Sequence, residues 1–105
     1  MATPLRGEVW IVDLGYAAKS RPAVVLSREY GDEDRALITV VPHTTAVRNS
    51  KFEVSIEARF LARSGVFMAQ GVTSVPAIKA IQYLGRLGAD QIVQVEEKVR
   101  FWLTL

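Results

Sequence analysis

Up to Leu87, apolar residues come in short runs separated by polar or glycine-containing breaks; beyond it the period changes. Residues 8–14 (EVWIVDL) form a β-branched and aromatic run after Gly7, which predicts a strand. Residues 15–20 read as a loop, and 22–27 (PAVVLS) as a second strand with Pro22 at its first position, where a missing N–H is tolerated. An acidic turn (EYGDED) follows, then a third strand over 36–41 closed by Pro42. Residues 52–56 alternate apolar and polar, the signature of a strand with one buried face. Residues 57–62 suit a short helical turn, and 66–72 and 80–87 are further strands. From Ala89, the residues Ile92, Val95, Val99 and Trp102 recur at three- and four-residue steps, which predicts an amphipathic helix. Gly88 stands at its start, and Asp90 in its first turn complements the helix dipole.

Strands joined by short turns and followed by one helix do not fit βαβ crossovers. They predict a mainly β, antiparallel sheet curled into a small barrel and packed by a C-terminal helix. Gly7, Gly65, Gly71 and Gly85 are its expected bend or bulge points. The 105 residues suit one domain, small enough that a dimer partner would help bury its core.

Half of the residues are hydrophobic and 23% are charged, a globular balance. No window reaches the ~18 consecutive apolar residues of a membrane span. The opening MATPLRGEVW lacks the basic-then-apolar order of a signal peptide, so a cytoplasmic protein is expected. The chain has no cysteine, which excludes disulfides, thiolate nucleophiles and cysteine-ligated zinc. His43 is the only histidine, which excludes a two-histidine nuclease mechanism within one chain. Asp32, Glu33 and Asp34 share one turn and read as a solvated acidic loop, so no metal is expected; with neither a GxxxxGK(S/T) loop nor a GxGxxG fingerprint, no nucleotide or other cofactor is expected either. The net charge of +2 is mild, but the basic residues are mostly arginine, whose planar fork matches phosphate.

Polar side chains at strand ends are the remaining candidates. Arg21 closes the first loop; Thr44 and Thr45 follow Pro42-His43; Gln70 interrupts an apolar run before Gly71. Each also has a structural reading: a surface arginine, hydroxyls that satisfy turn backbone, and an amide bonded to a loop.

Five segments in order change that weighing: RGEVWIVDL, SRPAVVLS, ALITVVPHTT, GVFMAQGVTSV and YLGRLGADQIVQVEEKV. Together they resemble the MazF/PemK family of type II toxin–antitoxin systems over nearly the whole chain. The resemblance implies an SH3-like twisted barrel with a C-terminal helix, assembled as a homodimer. It implies metal-independent, sequence-selective cleavage of single-stranded RNA, inhibited by a cognate antitoxin. The family's catalytic arginine and threonine fall on Arg21 and Thr44, and its glutamine near the RNA groove on Gln70. Lys19, Ser20, His43, Thr45, Arg48 and Lys51 are the accompanying substrate-binding candidates; Arg48 and Lys51 also suit an acidic antitoxin tail. The first loop, GYAAKS, is shorter than in many members, and Lys19 and Ser20 stand where longer loops supply polar groups. Ala69 occupies a position that is acidic in some members. Two competing readings are a degenerate barrel that only binds antitoxin or RNA, and a gyrase-poisoning barrel toxin. Intact Arg21, Thr44 and Gln70 argue against the first. The ending FWLTL, read as core packing by Trp102 and Leu103, argues against the second.

Overall fold

The computed structural model describes residues 3–15 and 19–105; the middle of the first loop, residues 16–18, lies outside the described residues. Seven strands and one helix follow in order: β1 (Glu8–Asp13), β2 (Ser20–Val25), β3 (Leu37–Thr44), β4 (Glu53–Ser55), β5 (Val66–Met68), β6 (Thr73–Pro76), β7 (Ala80–Arg86) and α1 (Ala89–Leu103). The sheet runs β4-β5-β3-β2-β1-β7, with β6 also paired to β3, and every ladder is antiparallel. The expected strand-rich fold with a terminal helix is present. The sheet is not closed, because β4 and β7 end the strand order as unjoined edges.

The three central strands bury both faces. Val9, Val24 and Val41 point into one cluster with Val54, Phe67, Leu87, Val95 and Val99, against the helix. Trp10, Val12, Ala23, Val25, Ile38 and Val40 point the other way, into a second cluster with Ala80. Successive side chains of a strand face opposite sides, so a run such as Ala23-Val24-Val25 stays unbroken only where both sides are dry.

Several boundaries differ from the sequence expectation for identifiable reasons. β2 begins at Ser20, with Arg21 opposite Val12 and Pro22 opposite Ile11 on β1. Pro22 is tolerated because β3 pairs β2 only from Ala23 onward, which leaves its other edge open. β3 runs through Pro42 to Thr44 rather than stopping there. Pro42 falls where the partner along one edge changes from β6 to β5.

The expected strand over 66–72 is broken. From Phe67, opposite His43, to Thr73, opposite Val40, this chain advances six residues while β3 advances three. The surplus three residues are the 3₁₀ turn Ala69–Gly71. That turn lets one segment lie against both ends of β3, first as β5 and then as β6. In place of a helical turn over 57–62 there is a single tight turn, closed by Leu61 N–H donating to the Ala58 carbonyl at 3.0 Å.

The helix starts at Gly88, whose N–H donates to Gln91 Oε1 at 2.9 Å. It ends at Thr104, left-handed at φ 58°, with Leu105 N–H donating to the Arg100 carbonyl at 2.9 Å. Val95 and Val99 are its buried positions. Trp102 and Leu103 are not core residues: they are 40% and 45% exposed, and Trp102 meets Phe52 edge-on at 5.1 Å. Beyond Val99 the apolar stripe meets Phe52, which precedes the short β4 and touches the rings of Phe101 and Trp102. Arg6 tethers the helix, pairing with Glu96 and donating to the Leu26 carbonyl.

Candidate active site

The site lies where β2 and β3 separate. Their ladder ends at Ala23 opposite Pro42; beyond it β3 turns to pair with β5 through His43 and Thr44. The opening holds a cavity of about 390 Å³, lined by Lys19, Ser20, Arg21, Pro22, His43, Thr44, Thr45, Leu61, Ala62 and Arg63. Three of these residues are cationic and none is acidic, so the cavity suits an anion.

Thr44 is fixed by a local turn. Its Oγ1 accepts from the Ala46 N–H at 3.1 Å. A hydroxyl has one proton and two lone pairs, so this bond consumes an acceptor and leaves the proton to be donated. On the first loop, Leu14 N–H donates to the Lys19 carbonyl at 3.0 Å. Lys19 is left-handed at φ 54°, an uncommon conformation for a residue with a Cβ, immediately before Ser20 and Arg21.

His43 is 5% exposed and meets Phe67 edge-on at 5.1 Å. Burial pushes its pKa below the usual value of 6.5, so the ring is neutral at pH 7. Its Nε2 is buried and has no hydrogen-bond partner among the described residues. Gly65 explains how β5 packs so closely here: a Cβ would overlap the Thr44 carbonyl oxygen and lie 2.7 Å from His43 Cε1.

Of the candidates read from the sequence, Lys19, Ser20, Arg21, His43, Thr44 and Thr45 meet in this cavity. Gln70, Arg48 and Lys51 do not line it. Gln70 is exposed on the 3₁₀ turn. Arg48 lies on the β3–β4 loop, where its N–H donates to the Glu53 carboxylate at 3.2 Å. Lys51 sits over the rings of Phe52 and Phe101, with Nζ 5.4 and 5.7 Å from their centroids. Leu61, Ala62 and Arg63 were not anticipated: residues 57–62 read as a helical turn, and Arg63 lies just beyond it. The two arginines in EARFLARSG are the sequence signal that could have found them. The described residues contain no cluster of three or more His, Cys, Asp or Glu able to hold a metal, and no helix long and apolar enough to cross a membrane.

The family model for the PemK-like, MazF-like toxin of type II toxin–antitoxin systems matches residues 5–103. The chain belongs to the PemK/MazF toxin family. Among similar proteins, the endoribonuclease MazF9 of Mycobacterium tuberculosis is 31% identical over 113 residues, covering 95% of this chain and 96% of the relative. The solved structure of MazF from Deinococcus radiodurans superposes with a TM-score of 0.83 at 26% identity, covering all of both chains. A MazE–MazF structure from the same organism gives 0.81 at 25% identity, again over both whole chains. The PemK/MazF fold thus spans the chain from Leu5 into the last turn of the helix, with the cationic cavity inside it.

Proposed function

We propose that this PemK/MazF chain is a toxin endoribonuclease. It cuts single-stranded RNA sequence-selectively and without a metal, works as a homodimer, and is held inactive by a cognate antitoxin. The observation that carries this reading is the convergence of Arg21 and Thr44 on a cavity with three cations and no carboxylate. The endoribonuclease name of the Mycobacterium tuberculosis relative supports the reaction class, and the MazE–MazF pairing in Deinococcus radiodurans supports the antitoxin.

RNA brings its own nucleophile, the 2′-OH. Its oxygen attacks the adjacent phosphorus as its proton passes to water, which returns a proton to the 5′ oxygen as the bond from phosphorus to that oxygen breaks. The products are a 2′,3′-cyclic phosphate and a 5′-OH. Arg21 binds the non-bridging oxygens, where charge accumulates, through its fork of N–H donors. It serves as a donor and not as the base. Thr44 donates its hydroxyl proton to the same phosphate. Neutral His43 lies beneath as an accessory group. Lys19, Ser20 and Thr45 line the rim, while Gln70, Arg48 and Lys51 serve the outer groove. An acidic antitoxin tail would occupy the same cations, with Arg48 and Lys51 among its contacts, and folding on binding suits such a segment.

Product chemistry tests the reading. Incubated with single-stranded RNA in excess EDTA, the protein should leave 2′,3′-cyclic phosphate and 5′-OH ends at a defined sequence. Cleavage that requires an added divalent ion, or 5′-phosphate ends, contradicts the mechanism. A DNA-gyrase poison would instead trap cleaved DNA complexes and leave RNA intact.

A further inference from the structure

A second cavity, of about 460 Å³, adjoins the first along the β4–β5 loop. Leu61 and Arg63 line both. Its other polar lining comprises Arg59, Ser55, Ser64 and Glu57. Arg59 and Arg63 are exposed, and neither forms a salt bridge with a carboxylate among the described residues, Glu57 included. Arg6, Lys79 and Arg86, by contrast, each have an acidic partner. The loop therefore carries two guanidinium groups without a salt-bridge partner among the described residues, beside the Arg21–Thr44 cavity, with Glu57 lining the same second cavity. Phe60 and Leu61 pack against the core, whereas Arg59 before them and Arg63 after them are exposed.

We propose that this second cavity is a phosphate subsite for single-stranded RNA. Arg63 bridges from the scissile phosphate to the neighbouring one, and Arg59 binds that neighbour with the help of the Ser64 hydroxyl. A polyanion running through two joined cavities needs a cation at each phosphate, and guanidinium groups meet phosphate oxygens bidentately. The subsite would fix how far the strand extends across the loop, and so which nucleotides beside the cut are gripped. Glu57, on the same wall, would repel a misplaced phosphate and help set that register. The inference rests on the RNA-cleaving reading of the first cavity.

The test uses binding of RNA oligonucleotides to the full chain carrying Thr44→Ala, which leaves substrate uncut. Each phosphate contact on a single strand contributes roughly 0.7 to the slope of log K against log salt. Arg59→Ala should lower the slope for a hexanucleotide by about that amount and weaken binding roughly tenfold, as expected for one charged hydrogen-bonded contact. It should leave a dinucleotide, with its single phosphate, unaffected. Arg63→Ala should weaken both lengths, and Arg63→Lys should restore most of the slope. Arg35→Ala, at the far end of the β2–β3 hairpin, should change neither. With otherwise unaltered residues, Arg59→Ala should raise KM for long RNA and spare kcat. An unchanged slope, or equal losses for both lengths, overturns the subsite while leaving the RNA-cutting reading intact. Failure of the parent protein to bind RNA at all overturns both.

Discussion

A single buried imidazole gives the site a titration signature of its own. His43 is the only histidine, and burial lowers its pKa. As pH falls below about 6.5, the unfolded chain takes up a proton there before the folded chain does. Stability should therefore decline from about pH 6.5 downward until the folded ring also protonates, with a limiting slope of about 1.4 kcal/mol per pH unit for one proton. Above pH 6.5 both states are neutral, and the residue contributes no slope. Urea unfolding between pH 5 and 7 should show this decline in the native chain and lose it in His43→Gln. An identical slope in both proteins would mean the ring is not desolvated. At this scale the sequence was legible only in part. Arg21 and Thr44 stood out by family resemblance, but the burial of His43 depends on Phe67 and Gly65, which lie far along the chain.

Among the elements, β5 determines the shape of the site. It meets the end of β3 where that strand has left β2, and Gly65 allows the approach by carrying no side chain toward the Thr44 carbonyl. Gly65→Ala forces a methyl group into the Thr44 carbonyl oxygen, which is backbone and cannot turn aside, so β5 must move. Overpacking of this kind costs about 1–3 kcal/mol. The variant should melt earlier and lose most of its cleavage, because Thr44 shifts with its strand. Wild-type melting and activity together would show that the close approach is dispensable. The strands and helix were readable from apolar runs and period because two buried faces and one buried stripe leave those patterns. The break at Ala69 was readable only as an irregularity, from Gln70 and the bend expected at Gly71; its three-residue length was not. It follows from the mismatch between two registers on β3, a property of the assembled sheet. The helix end was misread for a related reason: periodicity continues to Trp102, but the surface it would cover does not.

For the molecule as a whole, the net charge of +2 conceals how the charge is arranged. The acidic turn at Asp32–Asp34 lies at one end of the β2–β3 hairpin; Lys19, Arg21 and Arg63 gather around the other. Composition reports only the sum, which is why Arg59 and Arg63 escaped a reading based on strand ends. The fold brings the β4–β5 loop beside Lys19 and Ser20, and the cavity arises from that meeting. The central claim is that this cavity cuts RNA, and Arg21→Ala tests it most directly. Single-turnover cleavage of a defined RNA should fall about a hundredfold or more, consistent with the loss of a preorganised donor worth ~3 kcal/mol. Thermal unfolding and oligomeric state should stay as in the native chain. A folded Arg21→Ala protein that cleaves at the native rate would contradict the account.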